Sequence, residues 1–115
     1  MRIKNIRTLI NKLFAEFNIY FGINAGSYEN KGYKINYQIP NTFDLEGQRE
    51  YRIEFDIYSK DSIKVEEISD LIEEKINYST FYENGESATF IFDTRYQNDG
   101  KNEYRRTLVY EVRTY

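Results

Sequence analysis

One ten-residue segment decides the fold: Glu50-Tyr51-Arg52-Ile53-Glu54-Phe55-Asp56-Ile57-Tyr58-Ser59. Apolar side chains stand at every second position from Tyr51 to Ile57, and Arg52, Glu54 and Asp56 stand between them. Because successive side chains of a strand point to opposite faces, a period of two predicts a strand with one buried face. The segment therefore needs a hydrophobic layer on one side and tolerates water on the other.

A second alternating segment precedes it. Its apolar positions are Tyr33, Ile35, Tyr37 and Ile39. Pro40 is expected to end this strand, because proline cannot donate a hydrogen bond to a neighbouring strand. Residues 41–48 then form a loop, and the two strands form an antiparallel hairpin.

Two segments have helical spacing. In Arg2 to Phe17 one apolar stripe predicts an amphipathic helix, and the other faces are basic. The stripe is Ile3, Ile6, Leu9, Ile10, Leu13, Phe14 and Phe17. The second helix begins after Asp61 or Ser62 as the N-cap, runs to about Asn77, and is acidic. Its expected buried stripe is Val65, Ile68, Leu71, Ile72 and Ile76, opposite Glu66, Glu67, Asp70, Glu73 and Glu74.

The remaining segments complete a fold class. Residues 18–32 are predicted to be a loop, because glycine and asparagine interrupt every pattern there. Residues 79–82 form either a short strand or a loop. Two strands, residues 90–96 and about 103–114, close on a turn at Asp99-Gly100. The prediction is a single α+β domain spanning residues 1–115, with two helices on one face of a mainly antiparallel four-stranded sheet, in the order α-β-β-α-β-β.

The composition removes many chemistries. The 115 residues contain no Cys, His or Trp, so disulfides, zinc–thiolate sites and Ser-His-Asp or Cys-His catalysis are excluded. A carboxylate-dependent metal enzyme remains as an alternative, and Glu54 with Asp56 is its candidate pair. We interpret these two acids as ion-pairing partners of Arg52 and Arg113. We therefore expect no enzyme activity, no cofactor and no metal.

The charge and hydropathy also limit the partners. The net charge of −3 argues against sequence-specific nucleic-acid binding. The chain has no run of about 20 apolar residues, so we expect no membrane span. Met1 to Asn5 lead directly into the amphipathic helix, so we expect no cleaved signal peptide.

The charge pattern is self-complementary. A basic first helix, an acidic second helix and mixed-charge strand faces suit identical subunits that pack head to tail in a ring. Ordinary charge segregation on a monomer is the alternative. The candidate interaction residues are Arg2, Lys4, Arg7, Arg52, Glu54, Asp56, Glu66, Glu67, Asp70 and Arg113.

The chain resembles the small tail-terminator, tail-completion and head–tail joining proteins of long-tailed bacteriophages and phage-tail-like particles. The resemblance rests on the N-terminal amphipathic helix, on Tyr37-Gln38-Ile39-Pro40-Asn41, on residues 50–59, on Val65-Glu66-Glu67-Ile68-Ser69-Asp70-Leu71-Ile72, and on two closing strands. These parts follow one another over nearly the whole chain. The resemblance covers pattern and length and includes no invariant motif.

The resemblance implies a structural virion protein. Such proteins form a ring, expected to be a hexamer, on the last ring of tail-tube protein, and they present a face to the head-completion or connector protein. In contractile tails they also contact the sheath. The expected location is the head-proximal end of the tail, and the host cytoplasm before assembly. DNA passing through the ring is compatible with a net acidic chain. Loops 40–48 and 96–102 are expected to reach the adjacent ring.

Two other functions stay open at this point. A head-completion or stopper protein also forms a ring. A small cytoplasmic adaptor module would use the acidic helix as its interaction face.

Overall fold

Four long strands dominate the computed structural model, which describes residues 1–45 and 48–115. The elements of these residues are α1 (Ile3–Leu13), β1 (Ile19–Phe21), β2 (Lys34–Leu45), β3 (Gln48–Ser59), α2 (Ser62–Ile76), β4 (Ser79–Glu83), β5 (Glu86–Gln97) and β6 (Tyr104–Thr114). The strands form one sheet in the order β1-β2-β3-β6-β5-β4. β1 runs parallel to β2, and every other neighbouring pair is antiparallel.

The predicted four-stranded sheet with the order α-β-β-α-β-β is wrong. The structure is a six-stranded mixed sheet that curls into a half-barrel, and it adds one strand before each of the two predicted strand pairs. β1 has three residues and β4 has five, so neither is long enough to show a clear period of two.

The short strand β1 lies inside the segment that was predicted to be a loop. The buried Asn18 holds it: the side-chain amide donates to the carbonyl oxygens of Ser27 and Tyr33, each at 2.8 Å. The Asn18 carbonyl in turn accepts a 2.8 Å bond from the N–H of Ile35, next to the start of β2. One asparagine therefore closes the segment into a compact arch and sets β1 beside β2.

Pro40 does not end β2. The pairing of β2 with β3 shifts between Gln38 and Asn41, and Pro40 lies within this bulge. A bulge leaves one residue without a pairing partner, so it accommodates a residue that has no N–H. The predicted loop 41–48 is wrong as well, because β2 continues to Leu45 and β3 starts at Gln48. Glu46 and Gly47, assigned to the same loop, lie outside the described residues.

The core lies between the helices and one face of the sheet, which we call the inner face. Phe55 of β3 is fully buried at its centre, with ring centroids 5.6 Å from Phe14 and 5.8 Å from Tyr110. The hydroxyl group of Tyr110 donates to the side-chain oxygen of Asn77, the C-cap of α2, and burial raises the pKa of this hydroxyl. The central aromatic cluster therefore also fixes the end of a helix.

Two details of the predicted helices differ. α1 ends at Leu13 instead of Phe17. Leu71, predicted to be buried, is 46% exposed. Ser69 is buried on α2 instead, and its hydroxyl group donates a 2.7 Å hydrogen bond to the carbonyl oxygen of Val65. The predicted N-cap is confirmed at Asp61, whose side chain accepts from the N–H of Ile63 at 2.9 Å.

Replacing Phe55 by alanine tests the position of the core. Removing a fully buried phenylalanine leaves a cavity among three aromatic rings, and Phe55→Ala should lower the free energy of unfolding by about 3–5 kcal/mol. Urea unfolding followed by circular dichroism measures this loss. Phe43→Ala is the matched control, because that side chain is 53% exposed, and its loss should stay within about 0.5 kcal/mol. Equal losses in the two variants would contradict the placement of the core.

Candidate interaction surfaces

The face of the sheet that points away from the helices, here called the outer face, carries a charge ladder. On β3 it presents Glu50, Arg52, Glu54 and Asp56, and on β6 it presents Arg105, Thr107, Glu111 and Arg113. The antiparallel register sets Glu50 opposite Arg113 and Arg52 opposite Glu111. Opposite charges at facing positions stabilise a strand pair by about 0.2–1 kcal/mol each.

Glu54 and Asp56 lie on one face, as their spacing predicts, but each has its own cation. Arg52 donates from Nε to Glu54 at 3.4 Å, and its Nη1 lies 3.5 Å from Asp93. Asp56 is almost buried, accepts a 2.6 Å bond from the Thr107 hydroxyl group and lies 3.2 Å from Nη2 of Arg105.

Arg113 does not reach these two carboxylates. Its Nε lies 3.3 Å from Glu50, at the far end of the ladder. Within residues 1–45 and 48–115, no three Asp or Glu side chains gather in a metal-binding arrangement. The outer face is thus an arrangement of ion pairs, and its charges are largely neutralised inside one chain.

The acidic helix α2 uses three of its carboxylates inside the chain. Arg95 of β5 pairs with Glu66, with Asp70 at 2.7 Å and with Glu73. Arg106 of β6 also pairs with Glu66. These two arginines clamp α2 onto the inner face of the sheet. Of the three predicted α2 contact residues, Glu66 and Asp70 belong to this clamp, and Glu67 is exposed.

The basic helix α1 touches both edge strands. The guanidinium group of Arg7 lies 3.9 Å above the ring centroid of Phe21 in β1. Lys12 pairs with the nearly buried Glu83 of β4 at 2.9 Å. Arg2 is the N-cap residue of α1, and both Arg2 and Lys4 are exposed. Arg7 therefore stabilises the fold, and Arg2 with Lys4 keeps the helix surface basic.

One pocket lies at the N-terminus of α1. Its lining includes Met1, Arg49, Asp44 and Glu86. The α-ammonium group of Met1 pairs with Glu86 at 2.8 Å, and Arg49 pairs with Asp44 at 2.6 Å. The charges that would bind a small ligand here already neutralise one another.

Two strand edges form a surface that the sequence did not predict. β1 pairs only with residues 35–37 of β2, so residues 38–45 have no recorded partner strand on that side within the described chain. β4 pairs only with residues 86–90 of β5, so residues 91–97 also have no partner strand on that side within the described residues. We call these two stretches the β2 open edge and the β5 open edge. They lie on opposite sides of the sheet and toward opposite ends of it.

Each open edge carries an exposed aromatic side chain on the outer face. Phe43, opposite Glu50, is 53% exposed, and Tyr96, opposite Thr107, is 45% exposed. The sequence predicts a loop at Phe43, which is wrong, and it places Tyr96 at the end of the strand 90–96 and the start of loop 96–102. The signal that could have identified Phe43 as a strand residue is its position between the polar residues Thr42 and Asp44.

No protein-family model matches the chain, and no curated protein matches it. Within the part of the chain that the structure describes, no helix has the length and apolar composition needed to cross a membrane.

Arg95→Met tests the clamp on α2. It removes the cation shared by Glu66, Asp70 and Glu73, and the free energy of unfolding should fall by about 1–3 kcal/mol. The loss should shrink in high salt, because salt screens the repulsion left among the three acids. Chemical denaturation in urea at two salt concentrations measures both effects. Glu67→Gln on the same helix is the control and should change stability little; equal effects would mean that Arg95 holds nothing in place.

Asp99 gives the fold an acid-sensitive turn between β5 and β6. Its pKa lies below the usual value of 3.8, first because the N–H of Arg105 donates to the carboxylate at 3.0 Å, and also because Gln97 and Arg106 donate to it. A carboxylate with a lowered pKa stabilises the fold above its unfolded-state value, and this contribution is lost as the pH falls through the lower folded-state value. Asp99→Asn should therefore flatten the fall in melting temperature between pH 4 and more acidic conditions. A parallel fall in both proteins would contradict this role.

Proposed function

We propose that this chain is a structural virion protein of the tail-terminator type. It forms a ring, expected to be a hexamer, on the last ring of tail-tube protein, ends polymerisation of the tube and presents its other side to the head-completion or connector protein. In a contractile tail it also contacts the sheath. It resides at the head-proximal end of the tail, and in the host cytoplasm before assembly.

The observation that carries this proposal is the pair of open edges. They belong to two different strands on opposite sides of one sheet, so a contact between them joins unlike patches of two identical subunits. Contacts between unlike patches are heterologous, and they generate closed rings or open filaments. Unpaired edges on a free protein invite uncontrolled pairing, and closing a ring covers them.

The ion pairs within the chain change which part of the surface supports a ring. Glu66, Asp70, Arg52, Glu54, Asp56 and Arg113 all have partners in their own chain. Attraction between a basic and an acidic helix is therefore a minor contribution, left to exposed residues such as Arg2, Lys4 and Glu67. Backbone pairing at the open edges, together with the side chains beside them, is the stronger basis for assembly.

Assembly in the presence of tail-tube protein tests the proposal. The chain, mixed with tube protein encoded beside it, should give tubes that stop growing and carry one extra ring at one end in negative-stain electron microscopy. Native mass spectrometry should find a closed oligomer in the same mixture. These outcomes follow because a ring whose far side differs from that of the tube protein offers no site to which another tube ring can add.

Two results would overturn the proposal. One is a protein that stays monomeric with the tube protein present. The other is a tube whose length distribution is the same with and without this chain. The Phe55→Ala variant, which loses the core, is the control that should neither form rings nor shorten tubes.

A further inference from the structure

The hydrogen bonds around β2 fix the direction of its free backbone groups. The N–H of Ile35 and the carbonyl oxygen of Tyr37 both bond toward the β1 side. Backbone groups in an antiparallel ladder alternate in direction, and the bulge between Gln38 and Asn41 shifts the alternation by one residue. Beyond the bulge, the outward-pointing backbone groups are therefore those of Thr42 and Asp44.

The same reasoning applies to β5. Ser87 and Tyr115 exchange two hydrogen bonds, and Phe90 accepts from Tyr78 on the β4 side. At the other end, Asn98 donates to Arg105 of the strand next to it. Because Asn98 bonds toward β6 and the direction alternates along the strand, the backbone groups of Gln97 and Arg95 point outward from the β5 open edge.

We propose that the β2 open edge of one copy of this chain pairs antiparallel with the β5 open edge of a second copy. The facing positions are Thr42 with Gln97, Phe43 with Tyr96 and Asp44 with Arg95. This inference names the partner surface within the ring and so rests on the proposed function.

Side-chain chemistry selects this register. Phe43 and Tyr96 both lie on the outer face, and in this register they face each other between the pairs Thr42/Gln97 and Asp44/Arg95. Their side chains then form a close cross-strand pair, which covers two aromatic rings that are exposed in the single chain. Asp44 and Arg95 both belong to the inner face and carry opposite charges. A register shifted by two residues toward the β5 irregularity would set Phe43 against Thr94 and leave Tyr96 without an aromatic partner. Asp44 already has Arg49 as a partner and Arg95 already pairs with three acids of α2, so the pair of aromatic side chains, rather than the charges, selects the register.

The shape of the sheet makes a second copy the fitting occupant. β4 stops at the pair Ser79 and Phe90, so a recess seven residues long lies beside β5 below it. Beyond Pro40 the β2 open edge has five strand residues, 41–45, and the proposed register sets three of them against the last three residues of β5. Each chain thus holds one recess and one strand end that can enter it, and the same contact can repeat from copy to copy.

Disulfide cross-linking tests the register directly, because the chain contains no Cys. Mixed with tail-tube protein, the double variant Thr42→Cys/Gln97→Cys should form covalent multimers on mild oxidation, since facing residues of an antiparallel pair lie within disulfide distance. Each single variant should give at most dimers. Thr42→Cys/Thr94→Cys is the matched control: Thr94 belongs to the outer face and should not reach Thr42, which belongs to the inner face.

Removing single backbone donors tests the edges without creating new bonds. Thr42→Pro and Gln97→Pro each delete an outward N–H and leave the ladder to β3 or β6 intact. Each should weaken assembly at least about tenfold, and Thr42→Ala and Gln97→Ala, which keep the N–H, should assemble like the parent.

Phe43→Ser and Tyr96→Ser should also weaken assembly, with Tyr82→Ser, 73% exposed on β4, as their control. Melting temperatures of the monomers separate loss of fold from loss of contact.

The outcomes distinguish this inference from the proposed function. Parent protein that forms rings on tube protein, with no cross-linking of Thr42→Cys/Gln97→Cys and normal assembly of the proline variants, overturns the edge pairing and leaves the terminator role standing. Multimers that cross-link in register but never cap a tube support the pairing and overturn the terminator role. A β2 open edge that pairs only with an added peptide from another protein overturns the second copy as occupant.

Discussion

The structure depends on a mismatch in length between its strands and its helices. Four strands of 11 or 12 residues must bury the same inner face, and such strands are about 35–40 Å long. The helices that cover this face have 11 and 15 residues, about 16 and 22 Å. The sheet responds by curling around the helices, so that α1 reaches β1 through Arg7 and β4 through Lys12. The short edge strands then pair with only three residues of β2 and five residues of β5, and the open edges are what remains.

The sequence predicted those parts of the fold in which one local signal is repeated. The alternation from Tyr51 to Ile57 and the capping of α2 by Asp61 are decided within a few residues, and both appear in the structure. β1 could not be found in this way, because three residues carry no period and its position depends on contacts of Asn18 with Ser27, Tyr33 and Ile35. Pro40 misled for a related reason: proline excludes a regular ladder position but not a bulge.

The candidate interaction residues show the same division between local and distant information. The face on which each residue lies follows from helix and strand periodicity, but its partners do not. Arg95 joins Glu66 across 29 positions of sequence, and Arg106 joins it across 40. A count of charges along α2 therefore describes a surface available for a partner, although most of that charge already holds the helix on the sheet. The three-dimensional structure shows these ion pairs. Its strand register also shows that the surface without a partner strand consists of the backbone edges of β2 and β5.

The two open edges carry features that limit how far they can pair with another chain. Each edge is interrupted by an irregularity, the bulge at Pro40 in β2 and the register shift between Phe92 and Thr94 in β5. Bulges and proline on an edge prevent long, continuous pairing with other chains. About three facing pairs remain, and at about 0.2–1 kcal/mol for each side-chain pair they supply too little to offset the several kcal/mol lost when two proteins associate. The proposed ring therefore needs a second surface that orders its subunits, and in the proposed role that surface is the last ring of tail-tube protein.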